Sequence, residues 1–289
     1  MDRRQFIGTA ALGAAGLAIG GCGGGAPSSA PAASMQQARR LERIGLQLYT
    51  VRTRLAQDFS GTLEAIAELG YTEVETAGLH GHPAEHVRGE LDRLGLVSPA
   101  AHVQIGAMRN DLDAVFAEAE TLGQHYVIVP VVNAPERTAE GFRNVAAELN
   151  RFGQEARARG LRIGYHNHDY EFAALDGNVT GFDILLGDTD PDLVDFELDL
   201  YWAIRAGHDP LHLFSMYPGR FKLCHVKDMA DGAGSQAMAD VGQGEIDFAA
   251  IFARSEEAGL QHYFVEHDQP EDPIVSIGNS IQYLSQLEF

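Results

Sequence analysis

The chain has 289 residues, of which 45% are apolar and 21% are charged, the usual proportions of a globular protein that buries a core. It carries 21 Lys and Arg against 41 Asp and Glu, a formal net charge of −20. This charge argues against a protein that binds nucleic acid or an anionic lipid surface, since both need clustered cations. The two cysteines, Cys22 and Cys224, exclude a disulfide-stapled fold.

The first 22 residues read as an export signal. Arg3 and Arg4 precede a short apolar segment, which is the pattern of twin-arginine export. The segment ends in a sequence that resembles a bacterial lipobox, with Cys22 as the acylated residue; a cleaved soluble signal is the alternative. Residues 23–40 begin with Gly, Ala, Pro and Ser and are predicted to form a flexible tether. We therefore expect a periplasmic lipoprotein that contacts a membrane only through its lipid anchor.

Residues 41–289 alternate short apolar runs with amphipathic helices. Eight strands are predicted, at Ile44–Tyr49, Glu73–Thr76, Val97–Val103, Tyr126–Val132, Leu161–His166, Val194–Leu200, Phe221–Val226 and Tyr263–Glu266. Apolar residues recur between them at the helical spacing i, i+3, i+4 and i+7, as at Leu112, Val115, Phe116 and Ala119 and at Phe142, Val145, Ala146 and Leu149. Several helices are predicted to end at a glycine just before the next strand, namely Gly70, Gly95, Gly123, Gly160 and Gly259.

Eight such units predict an α/β protein of the (β/α)8 TIM barrel type. A doubly wound open sheet is the alternative, but it usually has a glycine-rich phosphate loop after the first strand, and residues 46–52 contain no glycine. In TIM barrels the active site lies at the C-terminal ends of the strands. We therefore look for polar side chains there.

The last four predicted strands each end in imidazole or carboxylate side chains. These candidates are His166 and His168, Asp199, His225 and Glu266. Mixed nitrogen and oxygen donors suit Mn, Fe, Co or Zn better than Ca. The sequence therefore predicts a divalent-metal site at this rim of the barrel.

Five sequences carry a family resemblance: GLQLYTVR, YHNHDYEF, ELDLYW, GRFKLCHVKD and YFVEHDQ. Together they resemble the sugar phosphate isomerase/epimerase family of xylose isomerase-like TIM barrels, over roughly Ile44 to Leu284. The resemblance implies a small sugar substrate and one divalent ion, such as Mn, Co, Zn, Fe or Mg. By position in the motifs, the metal ligands would be His166, Asp199, His225 and Glu266.

One position departs from the family pattern. The epimerases have a glutamate where this chain has His166, and use it with the last-strand glutamate as an acid/base pair. The imidazole favours an enolisation with one carboxylate base, Glu266, as in a dehydratase, lyase or isomerase, with the ion stabilising the enediolate. His168 has the same strand phase as His166, so it is an alternative ligand or a catalytic group.

Lys227 follows His225 on the same strand face and is predicted to stabilise an enolate oxygen or to protonate a leaving group. The alternative is an ion pair with Glu197 or Asp228. Glu197 would lie one layer below Asp199, either as an outer partner of a ligand or as a counter-charge for Lys227.

Four further side chains are candidates for substrate contact: His102 after the third strand, Trp202 after the sixth, and His80 and His82 after the second. No arginine cluster accompanies them, so the expected substrate is a non-phosphorylated ketose or keto-glycoside. The alternative function is a catalytically inactive, lipid-anchored sugar-binding protein. The charge of −20 argues against a nuclease on the same barrel. The oligomeric state is left open.

Overall fold

The computed structural model describes residues 38–230 and 237–289. The predicted export signal, Cys22 and residues 23–37 of the tether lie outside the described residues. Within the described part of the chain, no helix combines the length and the apolar character needed to cross a membrane.

The strands form one closed parallel barrel and a small separate hairpin. In chain order they are β1 (Gly45–Gln47), β2 (Glu73–Thr76), β3 (Val97–His102), β4 (Tyr126–Val129), β5 (Arg162–His166), β6 (Val194–Asp199), β7 (Phe221–Val226), β8 (Asp228–Met229), β9 (Met238–Ala239) and β10 (His262–Val265). The barrel runs from β1 to β7 in sequence order and closes through β10, which pairs with both β7 and β1. The hairpin consists of β8 and β9, which are antiparallel. The predicted eight-stranded TIM barrel is confirmed.

Helices cover the outside of the barrel. They are α1 (Arg52–Leu55), α2 (Phe59–Leu69), α3 (Ala84–Leu94), α4 (Ile105–Asn110), α5 (Leu112–Leu122), α6 (Ala139–Ala158), α7 (Gly181–Asp188), α8 (Leu200–Arg205), α9 (Pro210–Met216), α10 (Phe248–Phe252), α11 (Ser255–Ala258) and α12 (Pro273–Leu284). The predicted stripe on α6 is fully buried. The glycines predicted to end helices all have positive φ, between 69° and 101°, the left-handed conformation that stops a helix.

Five predicted strands are shorter than expected at their C-terminal ends, and three of them, β3, β6 and β10, lack only one residue each. Leu48 opens a 3-10 turn instead of extending β1, because the Tyr49 N–H donates to the side chain of Gln47 at 3.0 Å. β4 ends at Val129, just before Pro130, which has no N–H for a strand ladder. β10 ends at Val265, so Glu266 is the first residue beyond the strand.

The inside of the barrel is apolar at one level and polar at the next. A small apolar cluster fills the lower level, with Ala100, Tyr126, Ile128, Leu223 and Phe264 as its members. Side chains two residues apart point to the same side of a strand. The next inward side chains toward the C-terminal ends of β3, β5 and β7 are therefore His102, His166 and His225. The polar residues therefore sit on an apolar plug, at the C-terminal ends of the strands.

Candidate active site

Four side chains converge at the C-terminal ends of β5, β6, β7 and β10. His166, Asp199, His225 and Glu266, here called the upper cluster, are all buried. His225 Nδ1 lies 2.7 Å from Glu266 Oε2 and 3.8 Å from Asp199 Oδ2. His166 Nε2 lies 3.7 Å from the same Asp199 oxygen. Asp199, His225 and Glu266 can each offer one ligand atom, and these three atoms lie within 4.8 Å of one another. They are close enough to share a metal ion.

The two oxygens of Asp199 have different surroundings. Oδ1 accepts the N–H of Trp202 at 2.8 Å and so caps the first turn of α8. Oδ2 is buried and lies 3.0 Å from Lys227 Nζ, with the two imidazole nitrogens at 3.7 and 3.8 Å. A buried carboxylate oxygen that faces two imidazole nitrogens belongs to the donor set that a divalent transition metal prefers.

A second layer of polar side chains lies directly below. We call Gln47, Glu75, His102 and Glu197 the lower cluster. Glu197 Oε2 lies 2.7 Å from His102 Nε2, 3.0 Å from His166 Nδ1 and 3.1 Å from His225 Nε2. Each of the two upper-cluster imidazoles therefore has one nitrogen facing Glu197 and the other facing the upper carboxylates.

Glu75 completes the lower cluster from β2. Its Oε2 accepts a hydrogen bond from Gln47 Nε2 at 2.5 Å and lies 2.8 Å from His225 Nε2. Carboxylates behind metal-binding histidines hold the ring orientation and the tautomer. A second set of possible ligand atoms also lies close together, from His102, His166, Glu197 and His225. We interpret this set as the hydrogen-bonded support of the metal-binding imidazoles and not as a second metal site.

Burial and neighbouring charges shift the pKa values of the clustered side chains in different directions. Burial raises the pKa of Asp199 to about 6. Burial would also raise the pKa of Glu266, but the charges of Lys227 and His225 outweigh it and hold that pKa well below its usual range. Burial and the nearby charge of His225 lower the pKa of His166 well below its usual range, so that ring is neutral. A neutral imidazole is the form that binds a metal. Burial alone would lower the pKa of His225, but the charges of Glu197 and Glu266 raise it well above its usual range, so this ring must lose a proton when it binds a metal.

Lys227 lies among carboxylates other than the predicted ones. Its Nζ is 2.6 Å from Glu266, 3.0 Å from Asp199 and 2.8 Å from Asp268. The predicted ion pairs with Glu197 or Asp228 are therefore wrong. Glu197 lies a layer lower, beneath the imidazoles. Asp228 turns away to accept backbone N–H groups of the segment that follows β7.

Asp228 organises that segment. Its carboxylate accepts the N–H groups of Met229, Gly242 and Gly244 at 2.8 to 2.9 Å, and that of Ile246 at 3.2 Å. A Cβ on Gly244 would lie 2.2 Å from the Met229 carbonyl oxygen, so glycine is needed there. Sequence analysis considered Asp228 only as an ion-pair partner of Lys227.

His168 faces the pocket just beyond β5. Its Nδ1 is buried and has no hydrogen-bond partner among the described residues. Burial, with the charge of Lys227, lowers the pKa of His168 to about 3, so the ring is neutral. Glu171 fixes the backbone here, because it accepts the N–H of His168 at 2.8 Å and the hydroxyl of Tyr165 at 2.5 Å. Sequence analysis missed Glu171.

A cavity of about 670 Å³ opens above the upper cluster. His102, His166, His168, Lys227, Glu266 and Asp268 line its floor and one side, and Tyr49, Val103, Ala107, Pro130 and Val131 are among the residues that line the rest. Tyr49, which sequence analysis did not select, is 43% exposed and has the Arg52 guanidinium 3.9 Å from its ring centre.

The three other predicted substrate contacts are not among the residues that line this cavity. The ring of Trp202 on α8 lies 5.5 Å from that of His168, centre to centre, and its buried Nε1 has no hydrogen-bond partner among the described residues. His80 lies on the loop after β2, with φ of 53°, and its ring is 6.3 Å from that of Phe59. His82 packs closer to Phe59, at 4.3 Å.

Comparison with known proteins agrees with this architecture. A family model described as a xylose isomerase-like TIM barrel matches residues 63–287. The inosose dehydratase of Lacticaseibacillus casei is 28% identical over 154 residues, covering 48% of this chain and 50% of that protein. The one from Geobacillus kaustophilus is 25% identical over 254 residues, covering 74% and 80%. The chain thus spans about half the length of the first curated relatives it matches.

Solved structures include a sugar phosphate isomerase/epimerase from Parabacteroides distasonis, with a TM-score of 0.75 and 25% identity, covering 85% of this chain and 98% of that one. The relatives named here are carbohydrate-acting dehydratases, isomerases and epimerases. The barrel, its polar rim and the family match over most of its length lead to one conclusion: the chain belongs to the xylose isomerase-like TIM barrel family.

Proposed function

We propose that this protein is a divalent-metal-dependent enzyme that removes the α-proton of a non-phosphorylated ketose or keto-glycoside, acting as an isomerase, epimerase, lyase or hydratase. The observation that carries the proposal is the upper cluster, where Asp199 Oδ2, His225 Nδ1 and Glu266 Oε2 lie close together beside a cavity that Glu266 lines. The dehydratase relatives support the reaction class.

The upper cluster would hold the ion. Asp199, His225 and Glu266 supply two carboxylates and one imidazole, and His166 adds a second imidazole through Nε2, which lies 3.7 Å from Asp199 Oδ2. When bound, the ion supplies positive charge beside the substrate oxygens that become negative during enolisation. The lower cluster holds both imidazoles in the orientation that this requires.

Glu266 is the proposed base. It lines the cavity, and its low pKa keeps it ionised and able to accept a proton at neutral pH. Lys227 stays protonated, because Asp199, Glu266 and Asp268 outweigh the effect of its burial and hold its pKa well above the usual range. Its ammonium can neutralise an enolate oxygen or donate a proton to a leaving group.

His168 and the cavity determine how a sugar is held. The neutral ring of His168, with its unpartnered Nδ1, can form a hydrogen bond with a substrate hydroxyl. Among the described residues that line the cavity, Lys227 is the only Lys or Arg, and three carboxylates already surround it. A phosphate group would find few donors here, which favours an uncharged sugar.

The test is solvent-proton exchange. The purified full-length chain is loaded with Mn²⁺, Co²⁺ or Zn²⁺ and incubated in D2O with a panel of keto-sugars and keto-glycosides, and deuterium in the recovered sugar is measured by mass spectrometry. We expect metal-dependent deuterium uptake or elimination that is lost in Glu266→Gln. Glu256→Gln, a carboxylate with an 87% exposed side chain, is the matched control.

Two results would contradict the proposal. Sugar binding without metal and without exchange, unchanged in Glu266→Gln, would indicate the catalytically inactive binding protein instead. Exchange that is the same after metal removal would mean that the upper cluster does not act through a divalent ion.

We also propose that the protein is exported by the twin-arginine route and anchored through Cys22. The supporting observations are the Arg3-Arg4 pair and the lipobox-like sequence that ends at Cys22. We expect the chain in the membrane fraction, with incorporation of labelled palmitate, and release of the protein in Cys22→Ser. Soluble wild-type protein without palmitate would contradict the anchor.

A further inference from the structure

The side chain of Lys227 fills the space between three carboxylates at the end of β7. Its exposed fraction is only 2%, and its Nζ lies within 3.0 Å of an oxygen of Asp199, Glu266 and Asp268. A buried ammonium is stable only when it is paired with negative charge. These three carboxylates therefore form a cation site with an occupant that belongs to the protein.

Two of the three oxygens that Lys227 contacts are also proposed ligand atoms. Asp199 Oδ2 and Glu266 Oε2 belong to the group that could hold a metal ion. An ammonium and a divalent ion compete for the same oxygens, because like charges repel strongly in a buried site. One of the two cations must give up contact with these oxygens.

Asp268 offers Lys227 another position. It lies outside the upper cluster, lines the cavity, and has a side chain that is 26% exposed. The Asp268 carbonyl oxygen accepts a hydrogen bond from Arg52 Nη2 at 2.9 Å, which fixes the residue at the cavity wall. Its carboxylate is already 2.8 Å from Lys227 Nζ, so a small side-chain rotation keeps one ion pair while two are lost.

We propose that Lys227 is the resident counter-ion of Asp199 and Glu266, and that a divalent ion displaces its ammonium onto Asp268. This inference rests on the metal site of the proposed function. In the metal-loaded protein the ammonium lies at the cavity wall, beside the position of the substrate. The positive charge assigned to Lys227 in the reaction is thus brought into place by metal binding.

A double-mutant cycle tests the displacement. Zn²⁺ affinity is measured by competition with a chelating dye in the full-length chain, for the wild type, Lys227→Met, Asp268→Asn and the double variant. We expect Lys227→Met to bind Zn²⁺ about tenfold tighter, and Asp268→Asn to bind it about threefold to tenfold weaker, in the range of couplings between contacting charges. In the Lys227→Met background, Asp268→Asn should have almost no effect. Lys222→Met is the matched control.

The outcomes separate this inference from the proposed function. If no protein of the set binds Zn²⁺, both fail. If the proteins bind Zn²⁺ but Lys227→Met does not bind it more tightly, Lys227 does not compete with the ion, and only the displacement fails. Equal weakening by Asp268→Asn in both backgrounds would likewise overturn it, since Asp268 would then act through its general negative charge.

A second measurement needs no variant. The sequence contains only two lysines, Lys222 and Lys227, so acetylation of the wild type by acetic anhydride reports on Lys227 with Lys222 as the internal reference. Because displaced Lys227 loses two carboxylate partners and gains access to the cavity, Zn²⁺ should raise the Lys227-to-Lys222 labelling ratio several-fold. An unchanged or lower ratio in protein shown to hold Zn²⁺ would overturn the displacement.

Discussion

The upper and lower clusters contain the same kinds of side chain but differ in how their hydrogen-bonding capacity is used. In the lower cluster, Glu197 Oε2 lies within 3.1 Å of three imidazole nitrogens. Glu75 Oε2 accepts a hydrogen bond from the side chain of Gln47. In the upper cluster, Asp199 Oδ2 and Glu266 Oε2 instead share the Lys227 ammonium, at 3.0 and 2.6 Å. Both clusters contain a buried carboxylate oxygen without a hydrogen bond among the described residues, so the difference lies in the partners: imidazoles and an amide in the lower cluster, one shared lysine in the upper cluster.

The electrostatics do not follow this division, because each cluster has one carboxylate with a lowered pKa and one with a raised pKa. Burial would raise the pKa of Glu197, but the charges of His225 and His102 outweigh it and hold that pKa well below its usual range. Burial raises the pKa of Glu75 in the same cluster. In the upper cluster, burial raises the pKa of Asp199 to about 6, whereas for Glu266 the charge of Lys227 outweighs burial and holds the pKa well below its usual range.

The largest expected effect on stability comes from the lower cluster. Glu197→Gln removes the charge that faces three imidazoles, and breaking a buried charged pair typically costs about 3–5 kcal/mol. Urea unfolding of the full-length chain without metal measures this loss, with Glu256→Gln as the exposed control. A loss below about 1 kcal/mol would erase the distinction between the two clusters.

The upper cluster should lose less stability and more metal affinity. Asp199→Asn removes one of the three carboxylates that pair with the buried Lys227 ammonium, while Glu266 and Asp268 remain, so we expect the free energy of unfolding without metal to fall by about 1–3 kcal/mol. Metal affinity should fall by more than about 100-fold, beyond the effect of losing an outer partner. Chelator competition and urea unfolding on the same samples measure both. Metal binding at the wild-type level would remove Asp199 from the ligand set.

Glu171, a buried carboxylate outside both clusters, allows a test by the pH dependence of stability. Burial raises the pKa of Glu171 from an ordinary 4.5 to about 7. A raised pKa in the folded state means that its contribution to stability is present at low pH and is lost as the pH rises through about 7. Between pH 6 and 8 this loss is about 1 kcal/mol.

The measurement is urea unfolding of the wild type and Glu171→Gln at several pH values. Because glutamine cannot ionise, we expect the stability of the wild type relative to the variant to fall by about 1 kcal/mol between pH 6 and 8. A difference that stays constant, or that grows with pH, would show that Glu171 is ionised throughout.

The smallest effect on stability is expected at the cavity mouth. Tyr49 is 43% exposed, so Tyr49→Ala should change the free energy of unfolding by less than about 0.5 kcal/mol. If the ring packs against a sugar, the KM of a substrate found by deuterium exchange should rise several-fold with little change in kcat, and Tyr49→Phe should restore it. An unchanged KM in Tyr49→Ala would place the sugar elsewhere in the cavity.

The sequence by itself determined the barrel and where its polar residues would meet. Alternating apolar runs and helical stripes depend on local periodicity, and each strand carries its own polar end, as His166, Asp199 and His225 do. Local chain geometry was also the signal for the glycines that end helices. The residue at which a strand ends was less certain, because the turn at Leu48 depends on one hydrogen bond, from the Tyr49 N–H to the side-chain oxygen of Gln47.

Only the tertiary structure decided which partners each polar side chain has. Lys227 meets Asp268 and Glu266 rather than Glu197 or Asp228, and Glu75 reaches His225 across the barrel from a strand 150 residues away in sequence. The periodicity of the sequence indicates on which face of its strand a side chain lies. It carries no information about the height and angle at which side chains of distant strands meet, because closure of the barrel sets those.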